Sequence, residues 1–162
     1  MNNANLKKAN LKNADLSGSK LKQADLKQAD LGGAKLKNTD LSRAKLRKAN
    51  LKSANLKDAK LIRADLTDAE LNNAELENAN LRKSKLKKAK LNNAKLKGAN
   101  LTSAKLEKAD LSNALLKKAK LRKADLTKAN LKNALLKSAI LDKADLVEAN
   151  LFNASLKDRK ST

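Results

Sequence analysis

The side chains able to do covalent or metal chemistry are scarce in this chain. Among 162 residues there is no His and no Cys. This removes the usual neutral-pH base, the thiolate nucleophile and the ligands of most zinc sites, and it rules out a disulfide framework. Ser42 and Ser112 have no base in sight. The Gly32-Gly33 pair has no helix pattern after it and so is no phosphate-binding loop. Asp125 and Asp145 form the best carboxylate pair, offering a cation site or an acid pair; the plain alternative is a solvated surface flanked by Lys105 and other lysines. No cofactor motif is present. The sequence therefore predicts no enzyme, no cofactor, no metal site and no small-molecule substrate.

What remains is charge: Lys and Arg total 38 against 17 Asp and Glu, a net +21, with 32 Lys and 6 Arg. The apolar 41% is nearly all Leu and Ala, with one Phe, one Met and no Trp, Tyr or Pro. Such a composition often marks disorder, but the order of the residues points elsewhere. Leu occupies every fifth position from Leu6 to Leu156, 31 times, and two residues earlier stands a small residue, Ala in 28 cases and Ser19, Thr39 and Ser84 in the others.

A step of five on an α-helix turns about 140° net and scatters the leucines around the axis. On one unbroken strand, five is odd and alternate leucines change face. Ala and Leu two residues apart do share a face, so the chain must run extended briefly, turn, and repeat: a β-solenoid with Leu and Ala inside. Two positions after Leu, Asn recurs at Asn73, Asn93, Asn113, Asn133 and Asn153, with Asn13 in the same column and Gly33 and Ser53 in its gaps. Asn and Gly tolerate positive φ, so this column is expected to adopt a turn conformation the other columns do not share. Its spacing of twenty residues makes four repeats per coil, a four-sided tube and not a three-sided one.

Segments such as Ala24-Asp25-Leu26, Ala49-Asn50-Leu51 and Ala144-Asp145-Leu146 give an A-(D/N)-L-x-x pattern, and with it the chain resembles the pentapeptide-repeat family over residues 2–157. The resemblance implies an all-β fold, a right-handed quadrilateral β-helix of just under eight coils. At roughly 4.8 Å per coil the rod is about 37 Å long. Residues 158–162 form a short polar tail. One departure is the frequent Lys before Leu, as at Lys20, Lys45, Lys85 and Lys105; this position faces outward and is read as altering only the surface. Some family members protect DNA gyrase by resembling DNA. This chain is similar in shape, opposite in charge, and lacks the loop insertion that some of those members use.

Sorted by position modulo twenty, the outward residues fall on four sides. The side carrying Leu21 and Leu41 has net charge +9, its opposite carrying Leu11 and Leu31 has +1, and the others +4 and +5. A candidate anion-binding ridge follows: Arg43, Arg63, Lys83, Lys123 and Lys143 in one column, with Lys22, Arg82 and Arg122 beside it. A second ladder is Lys97, Lys117, Lys137 and Lys157. Stacked like charges repel and are relieved by anions. One reading is a ridge for a polyanion (nucleic-acid backbone, an anionic membrane surface or an acidic protein), salt-sensitive and poor at reading sequence. The reading the sequence favours is a non-catalytic structural or interaction scaffold rod whose lysines are a solubilising coat that blocks lateral association, in keeping with the excess of Lys over Arg, and the polyanion-binding module is its alternative.

Five of the six outward apolar residues lie after residue 114: Leu115, Leu135, Ile140, Val147 and Phe152, with Ile62 the sixth. A homodimer through the C-terminal coils is expected, with Leu135, Ile140, Val147 and Phe152 in contact; the alternative is an end coil sealed by larger residues. The absence of an early apolar segment, of a bilayer-spanning run and of Cys points to a cytoplasmic protein.

Overall fold

The computed structural model describes residues 1–156. Every fifth residue from Asn5 forms a parallel bridge with the residue twenty positions on, from Asn5↔Asp25 through Leu135↔Ser155. Twenty residues thus complete one coil of four sides, as the Asn spacing predicts. The sides are named here by their leucines: Leu21, Leu26, Leu31 and Leu36. The repeat after Leu26 shows how backbone groups are paired. Asp25 N–H donates to Ala4 O in the coil below, and Leu26 and Gln28 N–H donate to Lys45 and Arg47 O in the coil above, at 2.8–3.0 Å. Ala29 N–H closes the turn onto Leu26 O at 3.1 Å. The fifth donor, Lys27 N–H, goes to the Asp25 Oδ1 at 3.2 Å.

That last bond explains the D/N of the motif. All sixteen Asp and Asn residues directly before a described leucine accept the N–H two residues on, at 2.9–3.3 Å. The position does face outward, yet it is more than surface: its side chain caps a backbone donor that no carbonyl reaches. Where Lys20 replaces it, the Lys22 N–H donates to Asn2 Oδ1 of the coil below at 3.1 Å.

The turn itself departs from the sequence expectation. After every leucine from Leu6 to Leu151 and after Met1, and not in the Asn column alone, the residue two positions on has φ between 55° and 69°. Only that one central residue is left-handed, which is the type II geometry. Closing a square coil requires the same bend at all four corners, so Lys, Arg, Gln, Ser, Asp and Glu adopt it as well as Asn and Gly.

Inside, the leucines of the five-residue phase from Leu21 to Leu136 are at most 1% exposed, and the alanines from Ala24 to Ala134 likewise. A polar residue in an alanine slot turns its hydroxyl to a carbonyl: Thr39 Oγ1 donates to Leu16 O at 2.9 Å and Ser84 Oγ to Leu81 O at 2.7 Å. Among the described residues no helix is long and apolar enough to cross a membrane.

Candidate functional site: a basic corner

Each side is three residues wide (Ala, the capping residue, Leu), and the two turn residues make the corner. The eight ridge candidates all sit on the corner between the Leu21 and Leu26 sides, and all are exposed. Arg43, Arg63, Lys83, Lys123 and Lys143 occupy the left-handed position itself, at φ 55–59°. Five coil steps separate Arg43 from Lys143, about 24 Å, with Ser103 the one uncharged member of that run. Four of the six arginines of the whole chain, Arg43, Arg63, Arg82 and Arg122, stand here. That concentration is legible in the sequence once the columns are drawn, and it outweighs the overall excess of Lys.

The acids are spent elsewhere. Of ten ion pairs among the described residues, one touches the ridge, Arg122 Nε to Asp142 Oδ2 at 3.0 Å. On the Leu31 side Glu70 is gripped by Lys52 at 2.7 Å and Lys90 at 3.0 Å. On the Leu36 side Glu75 is gripped by Lys57 and Lys95 at 3.0 and 2.9 Å. Hydrogen bonds from those lysines hold both carboxyls below their ordinary range, and the bond that Lys95 donates to Glu75 holds the Lys95 ammonium above its own. Of the aspartates beside the ridge, Asp25, Asp65, Asp125 and Asp145 turn toward the far corner of their side, where they cap Lys27, Thr67, Thr127 and Val147 N–H, whereas Asp40 caps Ser42 N–H at the ridge corner and Asp142 stands on that corner. At Asp40 partial burial works against ionisation, but the hydroxyl and N–H of Ser42 and the charges of Lys22 and Lys60 prevail and lower its pKa.

The corner therefore presents a row of cations with few carboxylates beside it: Asp142, paired with Arg122, and Asp40, whose ionisation Lys22 favours. Asp125 and Asp145 are bridge partners, each engaged with its own turn; no cluster of three or more possible metal ligands occurs among the described residues. The opposite side is nearly neutral and zipped by amides, with Asn130 Nδ2 on Asp110 Oδ1 at 3.0 Å and Asn133 Nδ2 on Asn113 Oδ1 at 3.2 Å.

The four apolar contact candidates do not form one patch. Leu135 lies on the Leu36 side, Ile140 on the Leu21 side, Val147 after the Leu26 side and Phe152 after the Leu31 side, so that together they ring the coil formed by residues 135–154. Val147 and Phe152 are 60% and 63% exposed, and Lys132 Nζ stands 5.7 Å from the centre of the Phe152 ring. Of the second lysine ladder, Lys157 lies outside the described residues, as does the tail 158–162.

The pattern described as "Pentapeptide repeat region" matches residues 4–81, and that described as "Pentapeptide repeats (8 copies)" matches 94–133 and 129–158. Among solved structures, HetL from the cyanobacterium Nostoc, a pentapeptide repeat protein involved in heterocyst differentiation regulation, is 30% identical over 94% of this chain and 87% of its own, with a TM-score of 0.45. QnrB1, a plasmid-mediated fluoroquinolone resistance protein, superimposes with a TM-score of 0.71 at 22% identity, over 88% of this chain and 79% of its own. No curated protein matches the sequence.

Proposed function

The chain belongs to the pentapeptide-repeat family, whose fold is the right-handed quadrilateral β-helix, and from that premise we propose that it is a non-catalytic rod whose basic corner grips the sugar-phosphate backbone of duplex nucleic acid. The observation that carries this reading is the unpaired state of the ridge: among the described residues Arg122 is its one member held by a carboxylate. A coat that served solubility alone would spread its ion pairs over every side. The rich share of arginine agrees, because a guanidinium fork matches phosphate oxygens. A single corner, about 24 Å long, suits a backbone running along it better than a flat membrane. With no aromatic side chain on the ridge to stack on bases, binding is indifferent to sequence.

The test is a salt titration with a fluorescent duplex. If five to seven phosphates are met, log K falls against log salt with a slope of about −5 to −6. Reversal of Arg43, Arg63, Lys83 and Lys123 to Glu weakens binding far more than reversal of Lys12, Lys52 and Lys132. Equal losses, or no binding at about 50 mM salt, overturn the reading. The same rod is proposed to meet a second copy end-on, since only that approach engages Leu135, Ile140, Val147 and Phe152 together. Light scattering tests this at tens of micromolar, where a monomer overturns it.

A further inference from the structure

The Leu36 side departs from its own pattern at its C-terminal end. The capping position there reads Asp15, Lys35, Asn55, Glu75 and Lys95, then Leu115 and Leu135. These two leucines are bridge partners, 40% and 47% exposed, and neither can cap its turn. They form the floor of an open groove of about 680 Å³. Lys97, Lys117 and Lys137 form one wall along the adjoining corner, and Glu77 stands at the N-terminal end.

We propose that this groove docks an acidic amphipathic α-helix of a partner protein, its glutamates on the lysine wall and its leucines on Leu115 and Leu135. The charge of the wall selects an acid. The recessed apolar floor needs a ligand that sends side chains down between the lysines; a planar bilayer stays on the lysine tips, and a phosphate backbone leaves the leucines uncovered. Spacing selects the helix. Lys97 to Lys137 spans two coil steps, about 10 Å. Glutamates seven residues apart on a helix are about 10.5 Å apart, whereas same-face residues two steps along a strand are about 13 Å apart. Glu77 repels an acid at its own end, so the acidic stripe of the helix begins at Lys97 and runs toward the C-terminal coils. The inference is independent of the nucleic-acid reading, because the groove and the ridge occupy different corners.

The experiment measures binding of a labelled synthetic helix of about fourteen residues, four turns, carrying adjacent Glu and Leu stripes, against the same peptide with Leu replaced by Gln. The Leu-striped peptide is expected to bind about tenfold or more tightly than the Gln version. Leu115→Asn with Leu135→Asn removes that advantage and leaves the Gln peptide unchanged. Asn is the capping residue of the motif, so this variant keeps the fold, which a thermal melt checks. Lys97→Glu with Lys117→Glu abolishes binding of both peptides, and Arg43→Glu with Lys83→Glu changes neither. Equal affinity for the two peptides overturns the proposal, as does an unchanged affinity in the Asn variant. Leu115-dependent binding to anionic vesicles in place of the helix also overturns it.

Discussion

At the residue scale, the two positions that shape the turn hold opposite lessons. The capping residue is a short side chain reaching one backbone donor. Lys85 breaks that arrangement and also stacks directly under Lys105, so Lys85→Asn supplies an acceptor for Lys87 N–H and removes a like-charge neighbour. A gain of about 1 kcal/mol is expected in urea unfolding. Asp65→Ala goes the other way, because Asp65 Oδ1 accepts both the Thr67 N–H at 3.1 Å and its hydroxyl at 2.7 Å; a loss of about 1 kcal/mol is expected. At the left-handed position Lys48 has φ 56°, which strains a long side chain and which Asn tolerates. Lys48→Asn should therefore raise the urea midpoint without changing the slope; an unchanged midpoint would mean the corner carries no strain at that site. None of this was legible from the leucine phase. The cap is a side-chain-to-backbone bond within one repeat, and a period shows only that a position recurs, not what it bonds.

At the scale of the coil, the interior was readable and the corners were not. Leu and Ala recur because each faces an identical neighbour above and below, so one misplaced residue costs packing in two coils. Corners are exposed, and lysine there satisfies the same backbone geometry as glycine. The basic ridge was readable only because the period folds distant residues into one column, and its unpaired state was not readable at all, since pairing depends on which way each carboxylate turns. This register can be rearranged without touching composition elsewhere. Deleting residues 84–93 joins Lys83 to Ala94 and keeps every leucine in phase, but it turns all later coils by two sides. Lys123 and Lys143 then leave the ridge and Asn113, Asn133 and Asn153 replace them. Deleting residues 84–103 removes a whole coil and more positive charge, yet keeps Lys123 and Lys143 in register. Both proteins should fold, with the β-rich circular dichroism of the parent. Duplex affinity should fall severalfold or more in the ten-residue deletion and change little in the twenty-residue one. The reverse order would show that net charge, and not the ridge, governs binding.

At the scale of the whole molecule, +21 on a rod is a standing self-repulsion that its carboxylates partly relieve. Asp15, Glu70, Glu75 and Glu107 all have pKa values lowered by hydrogen bonds, from Ser17 at Asp15, from Lys52 and Lys90 at Glu70, from Lys95 and Lys57 at Glu75, and from Lys87 at Glu107. A carboxyl held lower in the folded chain than in the unfolded one binds fewer protons when folded. Its stabilisation is complete above the unfolded value, 4.5 for Glu and 3.8 for Asp, and disappears as pH falls through the folded value. The melting temperature should thus be level from pH 7 down to about 5 and drop below it. Each proton bound also raises the net charge, so the drop steepens as the ion pairs on Glu70, Glu75 and Glu107 are lost and lysines stacked about 5 Å apart face one another unrelieved. Added salt should restore part of the loss at low pH by screening, and should do so more for this exposed surface than for a buried pair. Thermal melts across pH 3 to 7 at low and high salt check both claims. A melting temperature that rises on acidification, or that ignores salt at pH 3, would show that the ladders contribute nothing to the cohesion of the coils.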